Sequence, residues 1–147
     1  MHNRRRSIIA IMMVAANVFF TVHLYSQEVN AVIEISGVTA GGGSVYVAVY
    51  SNEENYTADI SFAAFILDAS KATLSQELDL PAGEYVVAVF QDANNNGKLD
   101  TGLFGIPTER FGFTNYSRGI PGNFQKLKIP VNASQTKITV SIGKYKM

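Results

Sequence analysis

The sequence predicts an all-β protein, a single antiparallel β-sandwich of about seven short strands. Three observations carry this. Apolar residues recur at every second position in several short runs, turn-forming Gly, Pro, Asn and Ser separate those runs, and no heptad or internal repeat runs along the chain. Two runs, Val45–Tyr50 and Tyr85–Phe90, are apolar on both faces, as expected of strands covered on both sides.

Taken in order, "VNAVIEIS" alternates over Val29–Ser36 and places Ala31, Ile33 and Ile35 on one face. "TAGGGS" (Thr39–Ser44) is a turn, "VYVAVY" (Val45–Tyr50) a central strand, and "SNEENYTAD" (residues 51–59) a polar loop. "FAAFIL" (Phe62–Leu67) fits a strand or a short helix, because alanine favours helix. Ala72–Leu80 alternates again, and Pro81 and Gly83 then turn the chain into "YVVAVF". That "LPAGEY" turn resembles one found in transthyretin-like (prealbumin-like) and immunoglobulin-like sandwiches, and so points to one of those two types. Strands are also expected over Phe124–Val131 and Lys137–Tyr145.

The N-terminus narrows the setting. Arg4, Arg5 and Arg6 precede an apolar run from Ile8 to Leu24 that ends at Ser26. A basic head, an apolar middle and a small exit residue predict a secretory signal peptide over residues 1–26 and one domain over 27–147. The apolar run falls short of a membrane span and contains Asn17, so no stable span is expected after cleavage. The protein is therefore expected to be exported, periplasmic or secreted. Cleavage removes three of the 12 basic residues and none of the 12 acidic ones, leaving a net charge of −3. Nucleic-acid binding is not expected of such a chain.

Both histidines, His2 and His23, lie in this leader, and the sequence has no Cys and no Trp. Thiol–imidazole and hydroxyl–imidazole nucleophiles are thereby excluded from the domain, as are zinc and copper sites built on imidazole or thiolate. Carboxylate, amide and hydroxyl oxygens remain, which suit hard cations and recognition. The expectation is a non-enzyme.

"QDANNNGKLD" (Gln91–Asp100) is the most distinctive string. Asp92, Asn94 and Asn96 occupy the first three side-chain positions of a calcium loop, Gly97 its turn, the Lys98 carbonyl the next ligand place and Asp100 the one after. Leu103 stands where an EF-hand needs a bidentate Glu, and no helices flank the loop. The loop is not an EF-hand, but it could bind Ca²⁺ on a β scaffold if Glu109 closed the shell, with Asn115 as a further oxygen. An Asn- and Gly-rich hairpin turn would select the same residues.

Thr101–Asn123 holds five glycines and two prolines and shows no period. Its Leu103, Phe104, Ile106, Phe111, Phe113 and Tyr116 argue for an ordered excursion, either completing the core or forming a binding surface. Glu109 and Arg110 could pair there, or support the loop.

"GEYVVAVFQDANNNGKLDTGLFGIPTERFGFTN" (Gly83–Asn115) resembles the bacterial domain-of-unknown-function family 2141. Its pattern of G-x-Y, D-x-N-x-N-G-x-L-D, G-I-P-x-E and G-F-S-N matches here at Asp92, Asn94, Asn96, Gly97, Leu99 and Asp100, then Gly105–Pro107, Glu109, Gly112, Phe113 and Asn115. Gln91 stands where that family often has His, and Thr114 replaces its Ser. The resemblance implies exported β-rich proteins with no assigned activity, and a single unit from Asp92 to Asn115.

The leading expectation is an exported binding or structural module with a calcium-stabilised loop. Asp92, Asn94, Asn96, Lys98, Asp100 and Glu109 would hold the ion, and the partner would be a protein, glycan or cell-surface component. The alternative is a carboxylate-based hydrolase of extracytoplasmic glycans or peptides, using Asp92, Asp100 or Glu109. A carrier of a small apolar molecule between the sheets is a third reading.

Overall fold

The computed structural model describes residues 27–147; the signal-peptide expectation for 1–26 lies outside the described residues. Among the described residues, eight strands form two sheets. The smaller has the order β4–β1–β8, from Thr73–Pro81, Glu28–Ser36 and Lys137–Ser141. The larger has the order β3–β2–β5–β6, from Ala63–Asp68, Ser44–Tyr50, Gly83–Asp92 and Arg110–Phe113. β7 (Ile129–Val131) pairs with the start of β5. No described helix is long and apolar enough to cross a membrane.

The alternation read from the sequence becomes the core. Ala31, Ile33 and Ile35 of β1 meet Val45, Val47 and Val49 of β2 and Val87 and Val89 of β5, with Ile138 and Val140 of β8 closing one side. All are buried, and these side chains pack together between the sheets, where the carrier reading would place its ligand. β2 and β5 are internal strands of their sheet, as their two-sided apolarity predicts. At the turn into β5, the Tyr85 phenol donates to the Pro81 carbonyl at 2.6 Å, fixing the aromatic that "LPAGEY" delivers.

Several local expectations are corrected. The order is not wholly antiparallel, because β8 runs parallel to β1. The eighth strand is β6, inside the stretch read as aperiodic. Gly112 lets it pass close to β8, since a Cβ there would lie 2.3 Å from the Ser141 carbonyl oxygen. Phe62–Leu67 resolves as strand β3, where Ala63, Phe65 and Leu67 pack toward the core. The polar loop contains a helix, α1 (Glu53–Thr57), whose first turn is capped by Asn52 Oδ1 accepting from Asn55 N.

Phe124–Leu127 is not strand but one helical turn, α2, capped by Asn123 Oδ1 accepting from Lys126 N. That turn swings Phe124 and Leu127 together onto Tyr50 and Val86, a burial an extended chain would not give both side chains. α1 and α2 thus cover one end of the larger sheet's outer face.

Ile33 is fully buried and Ile66 is 60% exposed, so the two isoleucines report on the core separately. Ile33→Ala is expected to cost about 2–5 kcal/mol in urea unfolding. Ile66→Ala should stay within about 0.5 kcal/mol of wild type.

Candidate functional site

The turn after β5 is closed by its own side chains. Asp92, fully buried at the end of the strand, accepts from Asn96 N at Oδ1 (3.1 Å) and from Gly97 N at Oδ2 (2.6 Å). Asn94 Oδ1 accepts from Asn96 N, and Asn96 Oδ1 from Lys98 N at 2.9 Å. Four oxygens from three side chains are therefore gathered on the short segment 96–98. Gly97 makes this possible, because its φ of +77° is one that side chains disfavour. Asp100 receives the amide groups of both Asn94 (2.6 Å) and Asn96 (2.8 Å).

Glu109 completes the closure from behind. It is 8% exposed, and its two oxygens accept from Ala93 N (2.8 Å) and Asp100 N (2.9 Å), at opposite ends of the loop. A buried carboxylate is costly unless N–H donors compensate its charge, and this one has a donor on each oxygen. Arg110 does not pair with Glu109; its Nε donates to the Gly37 carbonyl. Asn115 is also elsewhere, donating from Nδ2 to the Lys128 carbonyl at 2.7 Å.

This donor set has the chemistry of a hard-cation loop at Asp92, Asn94, Asn96 and Asp100, with Lys98 at the bend. Glu109 spends its oxygens on backbone amides. Among the described residues no group of three or more His, Cys, Asp or Glu side chains gathers around one point.

Gln91, which the sequence marks only as standing where the family often has His, is buried beside Asp92. Its Oε1 accepts from Thr39 N, and its Nε2 donates to the Thr39 and Gly42 carbonyls, pinning the 39–42 turn beside the loop. A polar side chain at the inward-facing end of a buried strand was the available signal.

The second feature is a groove on the outer face of the larger sheet. β2, β5 and β6 present alternate residues outward, and the register places Tyr46 beside Phe90, Ala48 beside Ala88, and Phe111 and Phe113 beside Phe90 and Ala88. Tyr46 and Phe90 stack with centroids 4.9 Å apart and planes 6° from parallel. The two alanines leave a hollow between the rings, a groove of about 660 Å³. Tyr50, Tyr56 and Asp59 bound one end; Leu99, from the Asp92–Asp100 loop, contributes to the wall.

Asp59 is held in the left-handed region (φ 55°) just past α1, where Asp59 N donates to the Tyr56 carbonyl and Ile60 N to the Asn55 carbonyl. This closing turn favours glycine. The aspartate carboxylate accepts the Tyr50 phenol. Burial, then that hydrogen bond and the aspartate charge, push the Tyr50 phenol well above its ordinary range, so it remains the donor.

Of the aromatics in the long stretch, Phe111 is buried, and Phe113 and Tyr116 are half-buried against it. Leu103 and Phe104 instead stand at an exposed tip, Phe104 98% exposed.

A family model, "Uncharacterized protein conserved in bacteria (DUF2141)", matches residues 33–139, from the middle of β1 into β8. The chain belongs to this family. As a DUF2141 protein it carries no activity by membership, and the match takes in both the Asp92–Glu109 loop and the groove. No curated protein and no solved structure matches it.

In this DUF2141 chain, Glu109→Gln replaces an acceptor with an NH₂ group facing a backbone N–H. It is expected to cost about 1–3 kcal/mol in urea unfolding. Wild-type stability in the variant would remove Glu109 from the closure.

Proposed function

We propose that the protein is an exported binding module whose ligand site is the aromatic groove, with the Asp92–Asp100 loop as one rim and Ca²⁺ stiffening that rim. The groove carries this reading. Ligand sites are typically hollows of about 300–1,000 Å³, mostly apolar with a few polar groups at defined places. This hollow has an alanine floor, aromatic walls, and the Tyr50–Asp59 hydrogen bond at one end. Export rests on the basic and apolar leader. The Tyr85–Pro81 hydrogen bond supports a sandwich of the transthyretin-like or immunoglobulin-like type.

Calcium is supported by the oxygens that Asp92, Asn94 and Asn96 turn onto the 96–98 segment and by Asp100 beside them. The Lys98 carbonyl would be a further ligand. Glu109 would act through the backbone, holding the loop ends at the spacing the ion needs. A carboxylate-based hydrolase is less well supported. None of Asp92, Asp100 and Glu109 lines the groove.

Two outcomes test this. The neutral fluorophore N-phenyl-1-naphthylamine should brighten on binding, and Ala88→Leu, which fills the hollow from its floor, should weaken that binding at least tenfold. Equal binding by the variant would place the probe elsewhere. Saturating Ca²⁺, but not Mg²⁺, should raise the melting midpoint by about 3–6 °C. A midpoint indifferent to Ca²⁺ would leave the loop a purely hydrogen-bonded turn.

A further inference from the structure

We infer that the groove selects organic cations, molecules with a flat apolar body and a protonated or quaternary nitrogen at one end. This rests on the groove being the ligand site, and adds the chemical class of ligand.

Charge complementarity is the reason. Six aromatic rings line the hollow, from Tyr46, Tyr50, Tyr56, Phe90, Phe111 and Phe113. Aromatic faces attract cations through their quadrupole, most strongly where water is displaced. Among the described residues, Asp59 is the one charged residue in the lining, which contains no Lys, Arg or His. Asp59 is exposed at the groove's end, so its carboxylate is solvated when the groove is empty and offers a cation an attraction that a neutral or anionic ligand lacks.

The carboxylate is also placed at some cost. Asp59 occupies the left-handed position past α1, which glycine would fill with less strain. In exchange its Oδ1 takes the Tyr50 phenol, at the end of the groove that Tyr56 and Thr57 also line. Tyr50 itself packs edge-on against Tyr56, with centroids 5.3 Å apart. Among the described residues only the Tyr50 phenol engages the carboxylate, at Oδ1, and Oδ2 can take an ammonium group. The flat body would then lie over Ala48 and Ala88, toward Tyr46 and Phe90.

The test is displacement of N-phenyl-1-naphthylamine by three matched probes: 2-phenylethylammonium, 2-phenylethanol and phenylacetate. The cation should compete at least tenfold better than the alcohol, and phenylacetate worst. Asp59→Asn, which keeps a side chain that tolerates the left-handed region, should bring the amine and the alcohol to equal affinity, each measured against the variant's own fluorophore affinity. Asp68→Asn, on β3 and outside the groove lining, should preserve the preference. If the fluorophore binds and Ala88→Leu abolishes it, yet amine and alcohol compete equally, the groove stands and the cation inference is overturned. A preference that survives Asp59→Asn also overturns it. Failure of the fluorophore and every probe to bind overturns the groove and the inference together.

Discussion

The grip of one buried carboxylate on two backbone amides organises the loop end of the larger sheet. Glu109 immediately precedes β6, and β6 pairs with Ala88–Gln91 near the end of β5, so its carboxylate is delivered beside the loop that β5 opens into. There it holds Ala93 N and Asp100 N, while Asp92 holds the amides of Asn96 and Gly97. A loop with so many exposed polar residues would ordinarily have little to fix it. Here the two buried carboxylates substitute for an apolar core, because each needs its N–H donors as much as the loop needs its acceptors.

Closure of that loop shapes the groove next to it. Leu99 lines the wall between Asn96 and Asp100, and Gly97 lies against the Tyr46 hydroxyl, 3.7 Å from where a Cβ would stand. The larger sheet thus divides its work by face. Its inner valines meet the isoleucines of β1 and make the stable core. Its outer face alternates rings with alanines and leaves a hollow between two caps: the α1–α2 cluster at one end and the carboxylate loop at the other.

Sequence pattern reached as far as local periodicity goes. β1, β2 and β5 could be read directly, because Ile33, Val47 and Val87 sit in alternating or doubly apolar runs whose burial follows from that pattern. β6 was hidden: "RFGF" is only four residues, flanked by glycine-rich chain, and becomes a strand because β5 is there to pair with it. "FQKLKIPV" looks extended, yet the Asn123 cap and the shared apolar patch under Phe124 and Leu127 turn its first half into helix. The parallel pairing of β8 with β1 is a tertiary choice that no local pattern records. At the site, the spacing of Asp92, Asn94, Asn96 and Asp100 was legible because those residues act within one short segment. The use Glu109 makes of its oxygens was not, since its partners lie 16 and 9 residues away. The groove escaped for a similar reason: its walls come from three strands, a helix and a loop.

Amide hydrogen exchange in the presence of a chelator probes the closure most directly. If the carboxylates fix the loop, the Ala93, Gly97 and Asp100 amides should exchange slower than Asn95 on the order of tenfold or more, despite lying in the same exposed turn. Exchange of all four at one fast rate would contradict it, and would mean that Asp92 and Glu109 do not hold the loop against solvent without a cation.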